Sequence, residues 1–294
     1  MNRTVPDFTT KSLADQRRIG REGAYHLLDA GRKWDLAPVL RQGGTVIFPH
    51  ATIDACGHQI AAAVHACLDS GASRVVLLGV LHARTPELEA ARTRVAAGGD
   101  CAAEPSWGIQ GPGLSGREDW RDEFSLLHFQ FLWERESERR GIVAPELVCR
   151  YPFLAGGRPD LLPGADALRD ACRDAAVIAT MDAFHHGIGY GDPPQAARFP
   201  ESGGLDLARE QILRGFSLLK DGDYQAFQAH CVHSKSDGRD VGQLLRWLLG
   251  PLDAEILDLI ADDMAPVYEQ PPPTWVAGGL MALRRQGSSI PAEI

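Results

Sequence analysis

The chain lacks the features that mark membrane-spanning, secreted and nucleic-acid-binding proteins. Its sequence contains no apolar run that approaches the roughly 20 residues of a transmembrane helix. The start of the sequence has no apolar stretch like that of a secretory signal peptide. Positive charge is also scarce, because 30 Lys and Arg stand against 39 Asp and Glu, which gives a net charge of −9 at pH 7. We therefore expect no nucleic-acid partner and no membrane association.

Cysteine is sparse and irregularly spaced. The six cysteines form no C-x-x-C pair, and in a chain of 294 residues this pattern is typical of reduced thiols rather than of a disulfide framework. The sequence therefore predicts a cytoplasmic protein. Because the composition is that of an ordinary globular protein and no repeat or linker is visible, we expect residues 1–294 to form a single domain.

Short buried strands alternate with helices along the chain. Apolar runs at 45–48, 74–79 and 176–180 are typical of strands that are buried on both faces. Between the first two, residues 57–70 carry apolar side chains at helical spacing. A strand, a helix and a second strand in this order predict a parallel pair with a right-handed crossover. The expected fold is a three-layer α/β/α sandwich around a mostly parallel sheet.

The remaining elements are less sharply marked. Further helices are expected at 14–31, 122–140, 166–174, 204–219, 223–231, 239–249 and 253–263, a strand at 146–150, and a long loop at 97–119. The charged run 134–140 at the end of its helix is expected to form a solvated surface.

Imidazoles and a carboxylate follow the three predicted strands. His50 comes directly after the first strand and His82 shortly after the second, while Asp182, His185 and His186 follow the third. Because the carboxyl ends of parallel strands meet at one edge of a sheet, these side chains are expected to converge there. Imidazole is a common ligand for zinc, iron and copper. The pattern therefore predicts a metal site at this edge.

The sequence alone leaves the carboxylate ligand of this site open. Asp54, Asp182 and Asp237 are all candidates for the third position beside two imidazoles. Asp237 also has a purely structural interpretation, because with Ser236 it could cap the helix predicted at 239–249.

Seven short segments have the order and spacing of one known family's motifs. They are Pro49-His50-Ala51, Leu78-Gly79-Val80-Leu81-His82, Asp122-Glu123-Phe124-Ser125-Leu126, Pro152-Phe153-Leu154-Ala155-Gly156, Thr180-Met181-Asp182-Ala183-Phe184-His185, Ser236-Asp237-Gly238-Arg239, and Tyr268 with Thr274-Trp275-Val276-Ala277-Gly278-Gly279-Leu280. In these segments the chain resembles the Memo family, which includes AmmeMemoRadiSam system protein B. That family is similar in structure to class III extradiol dioxygenases.

The resemblance implies a set of site residues. Two histidines of the family contact the metal, and they correspond to His50 and His82. The third ligand is a cysteine in Memo proteins and a carboxylate in the dioxygenases, and Asp237 stands at this position. His185 corresponds to the histidine that acts as acid and base in the dioxygenases, and Asp182 is expected to orient His185 or a metal ligand.

The chain also departs from the family's pattern. Phe124 replaces a family histidine and Leu127 a family glutamate, so the expected site wall is more apolar, with His128 supplying some of the lost polarity. Residues 1–42 lack the family's N-terminal motif and form a divergent segment. Phe124, His128, His186 and Trp107 of the loop at 97–119 are the expected substrate-binding residues.

These expectations combine into a predicted function. A thiolate would favour zinc or copper, whereas an oxygen ligand beside two imidazoles suits Fe(II) with open positions for O₂ and substrate. The sequence therefore predicts a non-haem iron oxygenase or oxidase that acts on a small chelating substrate, with His185 moving a proton. Three alternatives remain: a non-catalytic Memo-type metal-binding protein, a zinc-dependent hydrolase, and a structural protein without metal. Whether the chain forms a homo-oligomer is left open.

Overall fold

The computed structural model describes residues 7–285, so the first six and last nine residues of the predicted domain lie outside it. Within this range, eight strands belong to one sheet. The strands are β1 (Thr45–Phe48), β2 (Arg74–Leu78), β3 (Gly108–Gln110), β4 (Glu146–Phe153), β5 (Ala176–Thr180), β6 (Phe184–Gly187), β7 (Leu252–Asp263) and β8 (Thr274–Arg285). Their order is β3-β4-β2-β5-β1-β8-β6, and β7 also pairs with β8. The four central strands, β4-β2-β5-β1, are parallel, and the flanking strands are antiparallel.

Helices cover both faces of this sheet. They are α1 (Phe8–Gly31), α2 (Ala37–Arg41), α3 (Ile53–Asp69), α4 (Pro86–Ala96), α5 (Leu127–Arg140), α6 (Ala165–Ala171), α7 (Gly204–Asp221), α8 (Tyr224–Ser234), α9 (Arg239–Leu249) and α10 (Ala265–Tyr268). Val46 and Phe48 of β1 pack into the core that α1, α3 and α5 cover, whereas Ile47 packs into the core under α7, α8 and α9. This alternation explains why β1 is apolar throughout. The prediction of a mostly parallel central sheet flanked by helices is confirmed.

Two features of the fold position the site. The parallel strands β1, β2 and β5 end at one edge of the sheet, as the sequence predicted. At Gly20 the backbone of α1 leaves helical geometry with a φ of 58°, a value that favours glycine, so the helix bends there. The part of α1 before this bend brings Phe8 to the same edge. No helix of residues 7–285 is both long and apolar enough to cross a membrane.

The prediction of a helix at 253–263 is wrong. These residues form β7, which pairs with β8 along its whole length. The periodicity of a short, partly apolar segment does not separate helix from strand, and here the long antiparallel partner supplies the backbone hydrogen bonds. The predicted solvated surface at 134–140 is also wrong in part, because Glu136 is fully buried and pairs with Arg32 and Arg140.

Candidate metal centre

A cavity of about 370 Å³ opens at the sheet edge where β1, β2 and β5 end. Five of the side chains predicted from the strand ends and from the family resemblance line it: His50, His82, Asp182, His185 and Asp237. They come from four separate parts of the chain. The cavity is therefore the place where the predicted metal site has to lie.

Three of these side chains form a compact group of donor atoms. His50 Nε2 lies 3.0 Å from Asp237 Oδ2, and His82 Nε2 lies 3.6 Å from the same oxygen. The three donor atoms lie within 4.8 Å of one another, as do those of a second group made of Asp182, His185 and Asp237. Ligand atoms in adjacent positions on a metal, each about 2.1 Å from it, lie about 3 Å apart. The first group could therefore hold a metal ion.

Several buried atoms at this point have no hydrogen-bond partner among the described residues. They are His50 Nε2, Asp237 Oδ2 and His185 Nδ1. Burial of such a group without a partner is unfavourable by about 1–3 kcal/mol, so unpaired polar atoms are rare in protein interiors. A bound cation would satisfy the lone pairs of His50 and Asp237 together. The residues present thus fit a metal by chemistry as well as by spacing.

The tautomer of His50 follows from its neighbours. Thr180 donates its hydroxyl proton to the carbonyl of Phe48 at 2.9 Å, so its oxygen can accept from His50 Nδ1 at 3.0 Å. His50 Nδ1 therefore carries the proton. Its Nε2 points toward Asp237 and is the nitrogen that remains for a metal ion.

His82 is held by Glu123, a residue that the sequence analysis did not assign to the site. His82 Nδ1 donates to Glu123 Oε1 at 2.9 Å, and the His82 backbone N–H donates to Oε2 at 2.7 Å. Glu123 also accepts from the backbone N–H groups of Phe124 and Ser125. A carboxylate that accepts from a ligating imidazole fixes its tautomer and orientation. The only indication in the sequence that Glu123 belongs to the site was its place beside Phe124 in the motif quoted above.

The two aspartates fasten the segments of the site to each other. Asp237 Oδ1 accepts from the backbone N–H of Asp182 at 2.9 Å, and Asp182 Oδ1 accepts from the backbone N–H of His50 at 3.1 Å. Asp182 therefore holds the backbone of His50 in place, and its expected role in orienting His185 or a metal ligand stays a prediction. Asp237 points into the cavity, and the cap of α9 is Gly238 without a side-chain bond, so the capping interpretation of Asp237 is wrong.

Burial and mutual charge shift the pKa values of this cluster. Burial lowers the pKa of His82, but the charges of Glu123 and Asp237 outweigh it and raise the value to about 9. The pKa of His50 is raised in the same way against burial, by Asp182 and Asp237. Burial opposes ionisation of Asp237, yet the neighbouring imidazoles hold its pKa well below the usual range. The cavity is thus electrostatically suited to a cation.

The adjacent histidines His185 and His186 belong to β6 and lie on opposite faces of this strand. Neighbouring residues of a strand point to opposite faces, and only His185 faces the cavity. His186 lies on the other side, where its Nδ1 is 3.0 Å from Asp192 and its Nε2 accepts from the Arg198 backbone. The prediction of His186 as a substrate-binding residue is therefore corrected.

Trp107 is the second correction. It precedes β3, the outermost strand, and packs against the hydrophobic cores rather than against the cavity. One strand, β4, separates β3 from β2, which is the nearest of the strands whose ends form the site. The loop at 97–119 therefore does not cover the cavity through Trp107.

An aromatic wall made of Phe8, Phe124 and Tyr190 lines part of the cavity. Phe124 stacks on His82 with ring centroids 4.4 Å apart, and Phe8 stacks on Phe124 at 5.0 Å. Tyr190 lies edge-on to His185 at 4.9 Å. His128 also lines the cavity, and burial lowers its pKa to about 4, so it is neutral near pH 7. Phe124 and His128 thus line the cavity, and their role in substrate binding stays a prediction.

Comparison with known proteins adds no assignment. The chain matches no protein-family model and no curated protein sequence. The Memo-like resemblance therefore stays a prediction.

Proposed function

We propose that this chain is a non-haem Fe(II)-dependent oxygenase or oxidase of the Memo and class III extradiol dioxygenase type, acting on a small chelating substrate. The observation that supports it most is the convergence of His50 Nε2, His82 Nε2 and Asp237 Oδ2 on one part of the cavity, where His50 and Asp237 are buried and His82 is half-buried. Two imidazoles and one carboxylate with open positions opposite are typical of non-haem Fe(II) oxygenases.

Iron held by these three side chains would supply the centre that binds O₂ and a chelating substrate. The protein's own contribution is orientation and shelter. Glu123 and Thr180 fix the ring nitrogens of His82 and His50, so the ligands need little reorganisation when a metal binds. The stacked rings of Phe8 and Phe124 give the cavity an apolar surface beside His82.

His185 is suited to move a proton of the substrate. Burial lowers its pKa, so the imidazole is neutral near pH 7, and its Nδ1 has no hydrogen-bond partner among the described residues. Its place in the second donor group, beside Asp182 and Asp237, puts it next to the proposed metal position. A neutral imidazole there can accept a proton from a substrate hydroxyl and return it later.

The size of the cavity bounds the substrate. About 370 Å³ lies at the small end of the range for ligand pockets, which start at about 300 Å³. A single-ring or short-chain molecule fits this volume.

The experiment combines metal analysis with oxygen uptake. We expect protein purified without added metal to contain iron, and His50→Ala and His82→Ala to lose it. His58→Ala is the matched control, because His58 pairs with Asp258 at 3.0 Å and does not line the cavity. Anaerobic loading with Fe(II), followed by O₂-uptake measurements with phenolic and small-acid substrates, tests turnover.

Each outcome separates the alternatives. Equal metal content in all three variants would refute the metal centre. Bound zinc without O₂ uptake would favour the hydrolase, since three protein ligands and an open position suit zinc as well. Bound iron without uptake across the panel would favour a non-catalytic metal-binding protein.

A further inference from the structure

The cavity holds cationic side chains as well as the carboxylates of Asp15, Glu89, Asp182 and Asp237. Five cationic side chains line it: Lys11, Arg84, Arg92, Lys235 and Arg239. Three of them already have a carboxylate partner. The pairs are Lys11–Asp15, Arg84–Asp7 and Lys235–Asp192.

Arg92 and Arg239 differ from the other three. Neither guanidinium forms an ion pair with a carboxylate of the described residues, and both Nε atoms are buried without a hydrogen-bond partner. Arg92 is held by one bond from its Nη2 to the carbonyl of Leu81 at 2.8 Å and by packing 5.0 Å above the ring of Phe153. Two guanidiniums thus face one cavity with donors to spare.

The two guanidiniums also act on each other. Burial, and to a smaller extent the nearby charge of Arg239, lower the pKa of Arg92, whereas the carboxylates of Asp240, Glu89 and Asp237 raise it. A buried charge without a partner is costly, and proteins usually pair such groups. An anion that accepts from both guanidiniums would supply the missing partner and remove the repulsion.

The position of Arg239 is fixed relative to the metal centre. It stands two residues after Asp237 and begins α9. Gly238 between them is packed tightly, because a Cβ at this position would lie 2.7 Å from Met181 Sδ. The segment that supplies the carboxylate ligand therefore also presents a guanidinium to the same cavity.

We propose that Arg92 and Arg239 form a subsite that binds a carboxylate of the substrate, while the rest of that molecule lies along the aromatic wall toward His50, His82 and Asp237. This assignment of the substrate class as a small planar carboxylic acid rests on the proposed function, but the anion subsite itself needs no iron. Guanidinium forks match the geometry of a carboxylate. The stacked rings of Phe8 and Phe124 suit a flat apolar body.

The test measures binding of benzoate by calorimetry, with the protein as isolated and after removal of metal by a chelator. We expect benzoate to bind in both states, and benzamide, its neutral counterpart, to bind at least about tenfold more weakly. Arg239→Gln should weaken benzoate binding by at least about tenfold. Arg92→Lys, which keeps the charge but loses the fork, should also weaken it.

Lys11→Gln is the charge-matched control. Lys11 lines the same cavity but already pairs with Asp15 at 3.2 Å, so its loss should change benzoate affinity by less than about twofold. The Nε atom of Arg239 has no hydrogen-bond partner within residues 7–285, and the near-ultraviolet circular dichroism of Arg239→Gln should match that of the parent protein.

Several results would overturn the subsite. The subsite would be refuted if the parent protein bound no benzoate, or if it bound benzoate and benzamide with equal affinity. It would also be refuted if Lys11→Gln lost as much benzoate affinity as Arg239→Gln. If inorganic phosphate binds instead of benzoate, and Arg239→Gln abolishes that binding, the ligand group of the subsite is a phosphate rather than a carboxylate. If the protein binds no iron yet benzoate affinity depends on Arg239, the subsite stands and the oxygenase proposal fails. If iron-dependent O₂ uptake occurs but neither arginine variant alters affinity, only the subsite fails.

Discussion

Substitution of Glu123 tests whether a residue that holds a proposed metal ligand in place, without binding the metal itself, changes metal affinity. Its side chain is 1% exposed, and its two oxygens accept four hydrogen bonds, two of them from His82. In Glu123→Gln one oxygen becomes an NH₂ group. This group must face either the His82 backbone N–H or the three donors at the other oxygen, so at least one donor meets another donor.

The expected magnitude follows from these contacts. Loss of the anionic partner makes the His82 imidazole a weaker base and releases its orientation. Replacement of such a partner typically lowers metal affinity by about 10- to 100-fold, which corresponds to about 1.4–2.7 kcal/mol. The lost hydrogen bonds to a buried carboxylate should also lower the free energy of unfolding by about 2 kcal/mol.

The assay is competition for Co²⁺ or Zn²⁺ between the protein and a chromophoric chelator, at a temperature where the variant is folded. Glu89→Gln is the control, because Glu89 is an exposed carboxylate on the same cavity and makes no side-chain hydrogen bond to a ligand. We expect its affinity to stay within about twofold of the parent protein. A Glu123→Gln affinity inside that same range would refute the reasoning.

Three further predictions concern protonation, stability and metal choice. Burial lowers the pKa of His128 from 6.5 to about 4. Between pH 6.5 and pH 4 the unfolded chain therefore binds more protons than the folded protein. The free energy of unfolding should fall by about 1.4 kcal/mol per pH unit as the pH drops through this range. In His128→Leu, the free energy of unfolding measured by denaturant titration should not show this fall with decreasing pH. An unchanged slope of this free energy against pH would contradict the assignment. Glu136→Gln breaks the buried contacts with Arg32 and Arg140 and should lower the free energy of unfolding by about 2 kcal/mol without changing metal content; an unaltered thermal melt would count against it. Asp237→Cys places a soft thiolate in the site and should shift the bound metal toward zinc when iron and zinc compete, as elemental analysis can measure. An unchanged iron-to-zinc ratio would show that Asp237 is not a ligand.

The sequence was informative about the centre of the sheet. The strands β1, β2 and β5 are apolar because helices cover both of their faces, and this leaves a signal that periodicity analysis can detect. Since parallel strands end at a common edge, the convergence of His50, His82 and His185 could be predicted without coordinates.

The sequence was much less informative about the outer parts of the fold. β7 is half-buried and short of β-branched residues at its start, and its identity as a strand depends on pairing with β8 rather than on its own pattern. Likewise, Glu136 lies in a charged run that is typical of a surface. It is buried because α1 and α3 pack over it, and no local signal records this contact.

The residue types and their order along the chain were enough to establish an α/β fold with histidines and a carboxylate gathered at one sheet edge. Only the tertiary structure decided which atoms of those side chains are free to bind an ion. The proton on His50 Nδ1 depends on Thr180 and that on His82 Nδ1 on Glu123, residues that are 130 and 41 positions away in sequence. The spare donors of Arg92 and Arg239 are likewise visible only in three dimensions. Hydrogen-bond direction and the absence of a partner are properties of contacts between distant segments, so they leave no periodic trace in the sequence.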